Sequence, residues 1–310
     1  IRSFGPEAGL KGRFIFKTVN DSEGRIWIAT DNNGLLMYDG TRTYTYDKST
    51  GFPNNTVLMV DTDNHGNVWF STTKSGVSII KGEKIISYNV KNGLSSNHVR
   101  SFYQDSKDNL WIGTAGGGVT KYDGENFFHY NKKHGFFSDT INDIIEDNRG
   151  VIWLASGGNG LIRYDGKNFI KYSEESGLKN DMVVSLLQDR KGNIWAGTRF
   201  GLHEIKKRIH ESIDTLNVSV KINSYGIEQG FVGMECRKEA MLEASDGTIW
   251  IGTEDRLTAY HGGTSLDKTI TPELKISKVQ LFNEDVNWSK VKEREDSVIV
   301  LQNGIKLRNI

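Results

Sequence analysis

The chain contains one cysteine, three prolines, no excess of either charge and no long apolar run. Cys236 alone can form no internal disulfide and no CxxC pair for zinc or redox chemistry, so cysteine usage leaves the compartment open. Lys+Arg and Asp+Glu stand at 39 each. That balance offers no basic footprint for nucleic acid or an anionic membrane surface. No stretch approaches the roughly 18 to 20 apolar residues of a membrane span. Residues 1–10, IRSFGPEAGL, lack the basic and apolar regions of a signal peptide. The chain opens with Ile1 inside a repeat, which leaves an upstream signal sequence or further domains open. There is no P-loop, G-x-S-x-G elbow or H-E-x-x-H, and the seven histidines fall at different repeat positions. No cofactor or metal site is expected.

What the sequence has is glycine, at 34 residues, and seven tryptophans. Trp27, Trp69, Trp111, Trp153 and Trp195 follow one another at intervals of 42 residues (69−27, 111−69, 153−111, 195−153), and Trp250 follows after 55 (250−195). A repeat of this length marks a solenoid or a radial array. Each copy divides into four short segments rich in β-branched and aromatic residues. In the third they are 98–104 (HVRSFYQ), 110–114, 119–122 and 126–130. They are separated by Gly, Asn, Asp and Ser, and no window holds a 3.6-residue period, so the repeats read as all-β.

The first turn of the repeat reads D-x-x-G-x-[IVL]-W in the copies at Asp21, Asp63, Asp147 and Asp189, with Asp108 in place of the glycine in the third copy. Asp61, Asp63 and Gly66 echo part of a calcium loop. Recurrence of the same Asp in nearly every copy favours turn chemistry, in which the side chain bonds its own backbone two residues on. The second turn keeps a glycine but varies at its tip, where Lys74, Arg199, Phe200, Glu254 and Arg256 stand. Variable tips on a constant frame are where binding residues are expected.

The fourth segment ends in an aromatic five residues before a glycine: Tyr46 and Gly51, Tyr88 and Gly93, Tyr130 and Gly135, Tyr172 and Gly177, Tyr225 and Gly230, and also Phe4 and Gly9. A polar pair then leads into the next copy, supplying Asn55, Asn97, Asp139 and Asp181, with Arg13 and Glu235 at the corresponding places of the first and sixth copies. Copy five carries an insertion, 206–217, between its third and fourth segments. After residue 261 the pattern stops; 262–272 reads as a linker and 273–310 as the start of another β domain, with strands expected at 274–282 and 297–307.

Four-stranded units at this spacing, with one tryptophan each packing between neighbours, fit a β-propeller. The expected fold is therefore an all-β propeller over 1–261, of six blades or part of a seven-bladed ring, followed by a truncated sandwich-like segment. Residues 1–4 would complete the sixth sheet and close the ring.

The repeat at 92–124, NGLSSNHVRSFYQDSKDNLWIGTAGGGVTKYDG, resembles the two-component-regulator propeller repeat. The tail ELKISKVQLFNEDV at 273–286 resembles the start of the three-tyrosine domain that follows it. The resemblance covers nearly the whole chain. It implies the periplasmic sensor region of a hybrid two-component system, of the kind typical of polysaccharide-degrading Bacteroidetes, in which an oligosaccharide is bound and its presence relayed to a membrane kinase. It also implies a homodimer in the full-length sensor, with the membrane reached only through segments absent here. Two departures stand: such sensors usually carry two propellers, commonly of seven blades, and the naming tyrosines lie beyond Ile310. In a propeller the fourth-to-first and second-to-third connections share a face. Arg13, Asn55, Asn97, Asp139, Asp181 and Glu235 are thus expected to ring a ligand, with Lys74, Arg199 and Phe200 outside them. Turn capping is the competing reading for each Asn and Asp. Two other functions stay open: a protein-binding scaffold, and a lyase, since streptogramin lyases are propellers with similar tryptophan-bearing repeats.

Overall fold

A computed structural model describes residues 5, 14–82, 84–207, 220–233, 235–261, 280–281, 284–285, 299–300 and 306–307. The chain falls into two units, Ile1–Gly262 and Gly263–Ile310. The first unit is all-β and consists of six antiparallel sheets, each a meander in chain order. Sheet one is β1 (Ile15–Asn20), β2 (Ile26–Thr30), β3 (Leu35–Tyr38) and β4 (Thr43–Tyr46). Sheet two is β5 (Val57–Thr62), β6 (Val68–Thr72), β7 (Gly76–Lys81) and β8 (Lys84–Tyr88). Sheet three is β9 (Val99–Gln104), β10 (Leu110–Thr114), β11 (Val119–Tyr122) and β12 (Phe127–Tyr130). Sheet four is β13 (Ile141–Glu146), β14 (Ile152–Ser156), β15 (Leu161–Tyr164) and β16 (Phe169–Tyr172). Sheet five is β17 (Val183–Gln188), β18 (Ile194–Thr198), β19 (Gly201–Lys207) and β20 (Val220–Tyr225). Sheet six has three strands among the described residues: β21 (Cys236–Glu243), β22 (Thr248–Thr253) and β23 (Leu257–His261). The expected closure by residues 1–4, most of the insertion at 206–217 and the linker lie outside the described residues. In the second unit only the short pairs β24 (Gln280–Leu281) with β25 (Glu284–Asp285), and β26 (Ile299–Val300) with β27 (Lys306–Leu307), are described.

A single sheet has no core of its own; the core here lies between consecutive sheets, in five separate clusters. In each of the first five sheets the tryptophan of the second strand is at most 7% exposed. It lies against the tyrosine that ends the fourth strand, with ring centroids 5.5 to 6.1 Å apart. The indole then meets the next sheet, as where Trp195 packs with Ile249 and Ile251. Burial of an aromatic of this size contributes about 2 to 3 kcal/mol per blade.

Two bonds repeat from blade to blade. On one side a turn N–H donates to the Gln or Glu that ends the next sheet's first strand: Asn64 to Gln104, Ser106 to Glu146, Asn148 to Gln188, Arg190 to Glu243, at 2.7 to 2.9 Å. On the other side, in sheets one to four, the glycine N–H that closes the second-to-third turn donates to the carbonyl of the connection entering the next sheet. The first strands line the axis, with β1 packed on β5, β9 on β13, β13 on β17 and β17 on β21.

Candidate functional site

The second pair of bonds fixes which residues share a face. Gly34 N–H donates to the carbonyl of Asn55 at 2.7 Å, Gly76 to Asn97 at 3.1 Å, Gly118 to Asp139 at 2.8 Å and Gly160 to Asp181 at 2.7 Å. The second-to-third tips and the fourth-to-first connections therefore occupy one end of the blades, as the sequence led us to expect.

Asn55, Asn97, Asp139 and Asp181 are half-buried, and each Oδ1 accepts a backbone N–H seven residues upstream: Lys48, Val90, Lys132 and Glu174, at 2.8 to 2.9 Å. One oxygen of each thus fastens the loop that follows the fourth strand. Arg13 lies outside the described residues. Lys74 is exposed on the tip of sheet two, with φ 59°.

Arg199 and Glu235 come together from different sheets, Nε to Oε2 at 3.6 Å. The carbonyl of Glu235 accepts the N–H of Glu254 at 3.0 Å, and Glu254 pairs with Arg237 at 2.9 Å. Arg256 pairs with its neighbour Asp255. Beside Arg199, Phe200 stands 66% exposed. The tips of sheets three and four are mostly glycine, at Gly116, Gly117 and Gly158, with Ala115 and the half-buried Asn159 as their only side chains beyond hydrogen.

His203 is fully buried, with Nδ1 2.9 Å from Ser224 Oγ and Nε2 3.4 Å from Thr198 Oγ1. Burial, aided by the charge of Lys179, pushes it down to about 4. It is neutral at ordinary pH and shielded from solvent, a packing residue rather than an acid or base. His98 is exposed beside this face.

Sequence reasoning missed an ionic network at the axis. A bulge in each of the first five inner strands brings Lys17, Met59, Ser101, Asp143 and Ser185 to equivalent places, opposite Ala29, Ser71, Gly113, Ala155 and Gly197. Lys17 Nζ lies 3.1 Å from both Asp61 Oδ2 and Glu239 Oε2, so it ties sheet one to sheets two and six. Burial lowers the Lys17 pKa, but these two carboxylates outweigh it and hold the ammonium above its usual value. Glu239 has φ 53° in the irregular stretch of β21 between Cys236 and Met241. Lys238 crosses the axis to the carbonyl of Arg100 and to Met59 Sδ. Asp143 Oδ2 accepts the edge N–H of Leu186 at 2.8 Å, and Asn142 donates to the carbonyl of Val183 at 2.7 Å. Inner strands are sheet edges, and these side chains satisfy groups that an edge leaves bare. The only signal in the sequence was the same 42-residue interval at positions occupied by unlike residues.

Two cavities lie apart from the tips. One of about 120 Å³ sits between sheets two and three beside Asp63 and Gln104; one of about 410 Å³ lies between Phe16 and Lys238. Among the described residues no cluster of His, Cys, Asp and Glu could hold a metal, and no helix is long and apolar enough to cross a membrane.

Five stretches, 9–32, 93–116, 135–158, 177–200 and 234–255, match the two component regulator propeller model. No curated protein sequence matches the chain. Among solved structures, the extracellular domain described as that of a hybrid two component system of B. thetaiotaomicron aligns over 81% of this chain and 35% of its own, with TM-score 0.64 and 20% identity. A second such domain from the same organism aligns over 84% and 40%, with TM-score 0.54 and 23% identity. The chain thus spans about two-fifths or less of those domains. A streptogramin B lyase aligns over 81% and 83%, with TM-score 0.58 and 11% identity. At these identities the likeness is one of fold.

Proposed function

Because the chain belongs to the two-component-regulator propeller repeat family, we propose that it is the ligand-sensing region of a periplasmic sensor that recognises an oligosaccharide released from a polysaccharide. The signal passes across the membrane through segments outside this chain, in a homodimeric receptor. Support for the sensor role and its extracytoplasmic place comes from the extracellular domains of hybrid two component systems that share the fold. The lyase likeness, at 11% identity, carries no activity to this chain.

One observation carries the binding site: the tips of sheets five and six gather Arg199, Glu235 and an exposed Phe200 on the face that also holds Lys74, Asn55, Asn97, Asp139 and Asp181. Hydroxyl-rich ligands are held by fixed donors and acceptors together with an aromatic surface.

Calorimetric titration with plant and host polysaccharide digests tests the reading, using the wild-type chain and a Lys74→Ala, Arg199→Ala variant. Saccharide binding that the variant weakens is the expected result. Binding that the variant leaves unchanged would move the site off this face. Silence toward every digest, with capture of a protein partner, would replace the sensor with a scaffold. Asn97→Ala and Asp139→Ala are poorer probes, because each also removes a loop-fastening acceptor.

A further inference from the structure

Resting on the reading above, the geometry points to an uncharged glycan as the ligand, seated in the sector of sheets five and six, with Phe200 as its stacking surface.

The guanidinium charges of this sector are already matched, and a nearby ammonium, Lys179, donates to Gln229 at 3.3 Å. It presents three guanidinium groups, Arg199, Arg237 and Arg256, and three carboxylates, Glu235, Glu254 and Asp255. Each guanidinium lies within ion-pair distance of one carboxylate, at 3.6 Å for Arg199–Glu235 and 2.9 Å for Arg237–Glu254. A uronic or sulfated saccharide would have to strip a guanidinium from its partner and would meet three carboxylates while doing so. Like-charge approach of this kind is a device of exclusion.

A neutral saccharide meets no such penalty. A guanidinium donates and a carboxylate accepts, so one Arg–carboxylate pair can serve two neighbouring hydroxyls of one ring without either charge losing its partner. The backbone bond from Glu254 N–H to the Glu235 carbonyl, at 3.0 Å, joins the two pairs into one array spanning both sheets. Pairing also holds these long side chains in place before the ligand arrives, which lowers the ordering cost of binding. Phe200, 66% exposed next to Arg199, offers an apolar ring to the C–H face of a pyranose. The adjoining tips of sheets four and three end in Gly158, Gly116 and Gly117. They add no charge, and Asn159 beside Gly158 adds an uncharged amide that can donate to and accept from further sugar units.

The test titrates the 310-residue chain with two matched panels of tri- to hexasaccharides. The neutral panel comes from glucan, xylan, mannan and arabinan, and the acidic panel from polygalacturonate, alginate and heparin. At least one neutral saccharide is expected to bind, with an affinity unmoved by added salt. Phe200→Ala should weaken it about tenfold, the loss of one stacked ring. The Glu235→Gln, Glu254→Gln variant leaves Arg199 and Arg237 without carboxylate partners, and should gain affinity for the acidic panel. Tighter binding of an acidic saccharide by the wild-type chain would overturn the inference and leave the glycan-sensor reading standing. Neutral binding indifferent to Phe200→Ala would overturn the placement in this sector. Silence toward both panels would overturn inference and reading together.

Discussion

The indole N–H of Trp111 donates to Asp105 Oδ2 at 2.8 Å, across the turn between the first two strands of sheet three. Asp105 Oδ1 meanwhile accepts the backbone N–H groups of Lys107 and Asn109 at 2.9 and 2.8 Å. The same indole bond links Trp27 to Asp21, Trp69 to Asp63, Trp153 to Asp147 and Trp195 to Asp189, at 2.7 to 3.1 Å. One carboxylate thus folds the turn with one oxygen and fixes the inter-blade tryptophan with the other.

Replacing Asp105 by Ala leaves the Trp111 indole and two turn N–H groups without their acceptor in a buried place. At about 1 to 3 kcal/mol for each buried donor left unmade, a loss of about 4 kcal/mol is expected. Asp105→Asn keeps one acceptor oxygen and should lose less. Urea denaturation of both variants measures the difference; equal losses would mean that the carboxylate is valued only for its charge.

Sheet six has neither this aspartate nor, among the described residues, a fourth-strand tyrosine. The position six before Trp250 is Ala244, and Trp250 is 37% exposed whereas its five counterparts are at most 7%. Leu242, which pairs with Trp250 across the sheet, is 63% exposed. Ala244→Asp would supply the missing acceptor. The expected gain is about 1 kcal/mol, with a blue shift of the Trp250 emission. A Trp250→Phe background identifies that emission, and an unshifted spectrum would show that the indole lies out of reach.

The scaffold was legible because every blade solves one problem in the same way. The four strands expected for the third copy agree with β9 to β12 to within one residue at each end, since a tryptophan, its turn aspartate and a left-handed glycine leave little choice of register. The candidate site was less legible. Asn55, Asn97, Asp139 and Asp181 repeat because each fastens a loop, and the sequence does not separate that duty from ligand binding. Arg199 and Glu235 belong to different copies, and their pairing follows from how two sheets meet. Lys17, Asp143 and Glu239 look like unrelated charges until the inner strands bring them to one axis.

Gly118 is the residue of the second turn least able to change. Its φ is 73°, and a Cβ there would collide with the carbonyl oxygen of Tyr130, at the end of the fourth strand. Gly118→Ala should cost about 3 kcal/mol or more, the left-handed strain plus displacement of that strand. Gly124 also has positive φ, 100°, but nothing lies within 4 Å of its missing Cβ, so Gly124→Ala should cost only about 1 kcal/mol. Thermal unfolding of the pair separates collision from backbone strain, and equal melting shifts would mean that strain alone acts.

Asp143 gives the fold an unusual response to pH. Burial pushes its carboxyl up to about 6, and the charge of Glu239 adds to this; the N–H groups of Leu186 and Ile144 and the ammonium of Lys238 oppose it without prevailing. The folded state therefore takes up a proton near pH 6, while the unfolded chain waits until about 4. The resulting contribution is fully present below the unfolded value and is lost as pH rises through about 6. Asp21 and Asp165 have the opposite sign. Burial would raise them too, but bonds from Trp27 and Arg25 to the first, and from Asn168 and Lys167 to the second, hold both below the usual carboxylate range. Their contribution is present above about 4 and is lost on further acidification. Between about pH 4 and 6 the falling contribution of Asp143 is opposed by that of His203, whose buried neutral ring stabilises the fold above about 6.5 and loses that contribution as pH falls toward 4. Asp143→Asn keeps an acceptor for Leu186 N–H but has no charge to bury. It should be more stable than wild type at pH 8, by on the order of 2 kcal/mol, with the advantage shrinking as pH falls below about 6 and vanishing near pH 4. Urea unfolding of both proteins from pH 4 to 8 gives the two curves, and parallel curves would show that Asp143 does not titrate in this range.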